Sequence, residues 1–525
     1  MLGETMSWIV LGEGKGKVLL VSKSTVSGIL PKGSYLTVED ADKKFILRVE
    51  QSEQYSPYSP SPMIIDMELA PLMQDQKWQN VVKAFRVRDM KERADGLIDP
   101  IKPQMVARRS TQEEINEALG GITIGPNVFI ATIHNGQNQH ISDDSGLFIS
   151  AKMPEDMFYY QILICGKTGS GKTASAKYLA QYFVEKMEGA VLAINVKDVD
   201  LLKMNEASVT KDKTILKEWK ELAEKAHGVD NFVVYYPANV QMSKTKGVSA
   251  TTKKITLNVK KIDPDALVGL LQGITDTGAQ SLPNIFRYWK EEKMGAKGTF
   301  ADFKNYFEQG KEDELSFNTL NSRGEEGTSP MHRGTFDSIR RKLDVATEFF
   351  DNEGAETLDS EDILVAGKMS VIDIVASKNG TLFGSILLRQ LLDRIVKDKS
   401  EGKSKVPILI MIDEVHQFYD SDSTREALGA LDTISRTGRS QEIGVVFLSQ
   451  NPSDMPKGLF NVINTKIFFK SEAEMAKKYG LTVSGEEIES LKKGYGVGSV
   501  YEMPQLRYLK FPLAYGGVFP KEVVK

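Results

Sequence analysis

Apolar and polar positions along the first 150 residues fall into short bursts, not helical stripes. Apolar runs recur at 8–11, 18–21, 35–38, 45–49, 63–69, 81–87 and 128–132, separated by clusters of Gly, Pro, Ser and Asp. Short, half-polar runs with turn punctuation predict strands, and several in succession predict a small β-barrel or sandwich. QSEQYSPYSPSP (51–62), rich in Ser, Pro and Tyr, predicts a mobile loop. TQEEINEAL (111–119) predicts a short helix with Thr111 as its N-cap and Glu114 three residues on.

Past residue 155 the texture changes. Apolar runs at 160–165, 190–196, 232–236, 369–374, 407–412, 443–449 and 466–469 alternate with stretches of helical period. That alternation predicts an α/β fold with a parallel sheet. Between 264 and 355 the chain is charged and helical in pattern, as in NIFRYWKEEKM and DSIRRKLDVATEFF, and reads as a helical insertion. The predicted division is a barrel-like domain at 1–150, an α/β core in two parts at 151–263 and 356–525, and the insertion at 264–355. No repeat of 20–50 residues is visible.

The strongest local signal lies where the α/β texture begins. Gly166, Lys167, Thr168, Gly169, Ser170, Gly171, Lys172 and Thr173 match G-x-x-x-x-G-K-[ST], the phosphate-binding P-loop, with Ala174 continuing into a helix. Glycines let backbone N–H groups curl round phosphates, Lys172 reaches the β- and γ-phosphates, and Thr173 places its hydroxyl on Mg²⁺. The apolar strand YQILIC directly precedes the loop, and the helix after it carries Ala176, Leu179, Ala180, Phe183 and Met187 on one face. The context predicts ATP and Mg²⁺ as cofactors.

A P-loop NTPase also needs an acid at a strand end for the metal shell, and often a second to orient water. VPILIMIDEVHQF offers both: Asp413 for the metal and Glu414 for the water. Asp373, at the end of MSVIDIVA, is a rival without a following acid. Gln450 ends the strand GVVFLSQ, either as a sensor of γ-phosphate or water, or as a cap of the next turn with Asn451. Arg436 and Arg439 in SRTGRSQ, read as a loop before that strand, are either an arginine finger for a neighbour's nucleotide or solvated charges. Six lysines between 244 and 261, with no acid among them, would track a phosphate backbone or blunt a sheet edge. His416 reads as a packing or capping residue.

Composition narrows the reading. The chain has 525 residues, enough for two to four domains, with 41% hydrophobic and 26% charged residues. A net charge of −4 excludes a uniformly basic nucleic-acid coat but not a local basic channel. One cysteine, Cys165, excludes an intrachain disulfide. The N-terminus shows no basic leader, and no apolar run approaches the ~20 residues of a membrane span, so a cytoplasmic protein without a membrane partner is expected.

Taken together, GKTGSGKT, AINVKDVDLL, GKMSVIDIVASKN, VPILIMIDEVHQF, SRTGRSQEIGVVFLSQNPS and GVGSVYEM resemble, in this order, the HerA branch of the HerA–FtsK ATPases. The resemblance covers about residues 158–503. It implies a RecA-like P-loop NTPase core with a helical insertion, preceded by a small N-terminal β-barrel. It further implies a homo-hexameric ring that hydrolyses ATP at subunit interfaces, translocates double-stranded DNA and works with a nuclease or effector partner. The chain departs from the family pattern at Asn195-Val-Lys-Asp198, where a Gly-Glu signature is usual, and at Ser440 after Arg439. A soluble ATPase for conjugation or secretion, or an ATP-binding scaffold for a nuclease effector, are the competing readings.

Overall fold

The computed structural model describes residues 8–22, 29–40, 43–55, 79–90, 98–120, 128–134, 139–197, 201–240, 249–271, 274, 278–310, 315–375, 377–418, 429–455, 459–479, 481, 483–503 and 505–520. Two compact units emerge. One comprises residues 1–155, 217–223 and 468–512; the other comprises 156–216, 224–467 and 513–525. Residues 468–512 thus group with the N-terminal segment, whereas the sequence reading kept them with the core.

The first unit contains a closed barrel in the order β1-β2-β5-β4-β3-β6, formed by β1 (Trp8–Gly14), β2 (Lys17–Ser22), β3 (Tyr35–Asp40), β4 (Lys43–Tyr55), β5 (Gln79–Asp89) and β6 (Val106–Arg109). Its interior is apolar, with Val10, Val18, Leu20, Leu36, Val38, Leu47 and Val82 fully buried. Strands alternate inward and outward positions, so closing the sheet buries one face of every strand and leaves no open edge. The closing strand, VARR, has too few apolar residues to register as a strand in the sequence. Residues 51–55, expected within a loop, extend β4, and 56–62 lie outside the described residues. The apolar run at 63–69 lies outside them too.

Helix α1 (Gln112–Leu119) starts at a capping box in which Thr111 and Glu114 exchange side-chain and backbone bonds, as expected. Glu114 does more than cap. Its buried carboxylate accepts from Thr37 Oγ1 at 2.8 Å and from both Arg108 terminal nitrogens at 2.7 and 3.0 Å, and it meets the Lys44 ammonium. The same unit holds β7 (Val128–Ala131), β8 (Ile133–His134), β9 (Gln139–His140) and β10 (Ser150–Met153). Antiparallel pairing joins β10 to β7, and β7 to the strand Tyr508–Lys510, which pairs with Tyr495–Ser499.

The second unit is the α/β core. Its strands are β11 (Ile162–Cys165), β12 (Ala190–Asn195), β13 (Asn231–Pro237), β14 (Thr251–Ile255), β17 (Lys368–Asp373), β18 (Ile408–Asp413), β19 (Ile443–Ser449) and β20 (Thr465–Phe468). They lie in the order β20-β11-β19-β18-β12-β17-β13-β14, parallel from β11 to β14. The strands flanked on both sides are mainly apolar, and β11, β12 and β18 are buried at every position. Tyr160, expected in the first core strand, ends a 3₁₀ helix (Glu155–Tyr160) instead. The insertion is helical as expected, at Leu282–Tyr288, Phe300–Gln309 and Arg333–Ala346, but it also carries a hairpin of β15 (Ser316–Leu320) and β16 (Glu326–Pro330). A turn with Gly324 at φ +81° closes that hairpin, and the surrounding charge hid its alternation.

Glu114 supplies a pH test. Burial opposes its charge, but bonds from Arg108, Lys44, Thr111 and Thr37 outweigh this and hold its carboxyl at about 2. A depressed carboxylate stabilises the fold above its unfolded value and loses that contribution as pH falls towards the folded one. Acid titration of thermal unfolding should therefore show a loss between about pH 4.5 and 2 that Glu114→Gln removes, with the variant less stable by about 2 kcal/mol at neutral pH. Equal acid profiles for the two proteins would refute the role.

Candidate functional site

Parallel strands bring their C-terminal ends to one edge of a sheet, and here the register aligns them. Cys165 pairs with Ser449, Asp413 with Leu448, Ile412 with Ile194 and Asn195 with Asp373. The residues that follow β11, β19, β18, β12 and β17 therefore meet along one rim. Strand β19 separates the P-loop strand β11 from β18, the strand that carries the acids.

The P-loop leaves β11 through Gly166 at φ +155° and turns at Gly169 (φ +81°) and Gly171 (φ +109°). These positive values suit glycine and would strain other residues. Helix α2 (Lys172–Glu185) begins there, directing its first N–H groups into the loop. Lys172 is 5% exposed and donates to Gly166 O at 2.5 Å. Burial pushes its ammonium below the ordinary lysine value, and the charge of Lys197 adds to this against Glu414 and Asp413. The hydroxyl of Ser170 is buried without a hydrogen-bond partner, while Lys167 and Thr168 are exposed and Thr173 and Ala174 half-buried.

Asp413 and Glu414 face the loop from the end of β18. Glu414 takes left-handed backbone angles (φ +48°, ψ +59°), while its N–H still bonds Leu448 O at 2.9 Å. Adjacent residues of a strand point to opposite faces; the turn at Glu414 lets both carboxylates approach one cation, Lys197. That ammonium contacts Glu414 Oε1 and stands 3.7 Å from Asp413 Oδ2. Gln450 donates to the same Oε1 at 3.0 Å and accepts from Thr168 Oγ1 at 3.3 Å, linking the acids to the P-loop. Burial pushes the Asp413 carboxyl up to about 6, with Lys197 opposing and Glu414 reinforcing the rise. Burial raises Glu414 too, but the bonds from Lys197 and Gln450 outweigh it and hold this carboxyl below the ordinary range.

The other candidates sort by their contacts. Asn451, not Gln450, caps the next turn: its side chain accepts from Ser453 N at 3.1 Å. Asp373 is buried and accepts from Asn195 Nδ2 at 3.0 Å. His416 is part-exposed, 3.7 Å from Glu414 Oε2. Arg436 and Arg439 lie on a helix (Gly429–Gln441), not on a loop. Gly438 lies inside this helix: a Cβ there would stand 2.6 Å from Ile443 O, so the glycine permits close packing instead of breaking the helix. Arg439 pairs with Asp156 at 3.4 Å and lies over the Tyr160 ring, while the Arg436 side chain lies outside the described residues. Lys197 was missed as a site residue; its signal was the polar NVK following an apolar strand, noted only as a departure.

The family model "Helicase HerA-like C-terminal" matches residues 150–473. The chain belongs to this HerA-like family. Among curated relatives, it is 23% identical over 236 residues to the DNA double-strand break repair helicase HerA of Sulfurisphaera tokodaii, covering 39% of this chain and 47% of that one. To the HerA of Saccharolobus solfataricus it is 26% identical over 221 residues, covering 37% and 43%. The matched region thus spans less than half the length of these relatives. Among solved structures, VirB4 of Thermoanaerobacter pseudethanolicus aligns with 74% of this chain and 98% of its own at a TM-score of 0.44 and 13% identity.

A divalent ion fits this HerA-like rim at one place. Asp413 Oδ1 is buried with no hydrogen-bond donor, and an orphaned carboxylate oxygen is what a hydrated cation would satisfy. Asp373 is already served by Asn195. With nucleotide present, Asp413→Asn should abolish Mn²⁺ retention measured by electron paramagnetic resonance, and Asp373→Asn should leave it at the wild-type level. The opposite pattern would make Asp373 the metal residue.

Proposed function

We propose that this HerA-family chain is an ATP-driven motor on double-stranded DNA. It works as a homo-hexamer with a nuclease or effector partner. The observation that carries the enzymatic part is the hydrogen-bonded path from the P-loop through Thr168 and Gln450 to Glu414, beside the buried Asp413. Lys172 and the loop N–H groups would hold the β- and γ-phosphates, and Thr173 and Asp413 the Mg²⁺ shell. A bound Mg²⁺ would neutralise phosphate charge. Glu414 orients the attacking water and takes its proton, and Gln450 reports the state of the γ-phosphate to it.

The names of the relatives support DNA as the substrate, as does the family model. Arg439 supports hydrolysis at a subunit interface: it is exposed, and among the described residues it meets the exposed Asp156 and the ring of Tyr160, so little holds it from a neighbour's nucleotide. The lysine stretch gives weaker support to a DNA channel. Lys253 and Lys254 lie on β14 at the end of the strand order, and Lys253 pairs with Glu356 at 3.1 Å. Lysines 244 and 246 lie outside the described residues. Among the described residues, no helix is long and apolar enough to cross a membrane.

Glu414→Gln should retain ATP binding and lose at least ~100-fold in turnover, whereas Lys172→Ala should lose binding. Near-normal hydrolysis by Glu414→Gln would remove Glu414 from the mechanism. Rings mixing Arg439→Ala with Lys172→Ala subunits should regain activity, since an arginine supplied in trans is worth roughly 10³–10⁵ in rate. Absence of recovery in demonstrably mixed rings would place the arginine's role within one subunit. Duplex DNA should stimulate turnover in the wild type, with an affinity that falls steeply with salt and ignores sequence; no stimulation at low salt would favour the scaffold or secretion reading.

A further inference from the structure

The carboxylate assigned to water is not free to act in the arrangement described. Glu414 is 2% exposed. Its Oε1 carries two donors, Lys197 Nζ and Gln450 Nε2. Its Oε2 is buried without a hydrogen-bond donor, with His416 Nδ1 3.7 Å away. A general base must present an oxygen within hydrogen-bond reach of the water it deprotonates. Here one oxygen is occupied and the other is shielded.

We infer that Lys197 is a positioning residue that latches Glu414 in a non-hydrolytic seat, and that arrival of metal and polyphosphate draws Lys197 away and frees the base. This rests on the role proposed above for Glu414. Three features of the site carry it. Lys197 stands 3.7 Å from Asp413 Oδ2, so an incoming divalent cation and this ammonium compete for one carboxylate. The Lys197 ammonium, bonded to Glu414, is joined through Gln450 to Thr168 of the P-loop, so polyphosphate seated in that loop attracts it. Finally, the second donor to Glu414, Gln450, is itself bonded to Thr168 of the P-loop, so filling the loop disturbs both prongs of the latch together. Lys197 follows β12 by two residues and is partly exposed, which gives its long stem room to swing.

The latch predicts a gain of function on cutting it. The latch closes again after each product release, and its opening on the bound complex is the slow step of turnover. Steady-state hydrolysis by the full chain at saturating Mg·ATP should therefore show kcat for Lys197→Met raised about 3- to 20-fold, with KM changed much less. Lys197→Arg, which keeps the charge and reach, should bring kcat back towards the wild-type value. Lys197→Met in a Glu414→Gln background should stay at the Glu414→Gln rate, because no base remains to be freed. A kcat that is unchanged or lowered in Lys197→Met, with binding of a fluorescent ATP analogue intact, overturns the latch. Should Lys197→Met fail to fold, the wild type decides. With Mg²⁺ and a non-hydrolysable ATP analogue bound, Lys197 Nζ should lie beyond 4 Å from Glu414, and a retained contact overturns the proposal. Normal hydrolysis by Glu414→Gln would instead sink the role of Glu414 itself, a separate result.

Discussion

Two adjacent carboxylates at the end of a buried strand are costly, and much of the core is arranged around bearing that cost. Removing a charge from water is penalised heavily unless it is paired and hydrogen-bonded. Asp413 and Glu414 are 5% and 2% exposed and follow a strand with every residue buried. Their compensation comes from two separate segments: Lys197 after β12, which faces both carboxylates, and Gln450 after β19, which donates to Glu414. Each arrives because β18 lies between β12 and β19 in a parallel register. An antiparallel arrangement would send alternate strand ends to opposite edges and scatter these groups. The pair is thus affordable only in this topology.

Compensation is incomplete, and the shortfall lies where chemistry would need it. Asp413 Oδ1 and Glu414 Oε2 are buried acceptors without donors. In a core built for stability alone such atoms would be satisfied. Leaving two acceptors unserved beside a phosphate loop is a cost that ligands would remove, as binding energy can offset local strain at a functional site. The left-handed turn at Glu414 belongs to the same pattern, since a side chain there disfavours that backbone region.

What the sequence revealed followed from how local each signal is. The P-loop is one contiguous stretch whose glycines and lysine state their own conformation, and the Thr111–Glu114 cap spans four residues. The core strands were legible because parallel strands with both faces covered read as continuous apolar runs. Features whose cause lies far along the chain were not. VARR is a strand because Trp8 and Ile9 on one side and 36–38 on the other need it to close the barrel. Gly438 stands within a helix because Ile443 O comes too close for a Cβ, a contact no local propensity encodes. Lys197 is 217 residues from Glu414, and its role depends on strand order alone.

The same reasoning bears on the arginine that the proposed ring requires. Arg439 is 62% exposed and its partner Asp156 52% exposed, and an ion pair between such groups contributes little because water and salt screen it. Stacking over Tyr160 adds modestly and keeps the guanidinium from collapsing elsewhere. A residue held this loosely has a low cost of release. By contrast, Lys172 is buried against its own loop and Glu414 is held by two donors. The groups that would bind and hydrolyse nucleotide within one chain are buried and held by partners of their own chain until ligand arrives, while the one proposed to act across a boundary is exposed and only weakly paired. A charge that must find its counter-ion on a neighbouring subunit is best stored in that way.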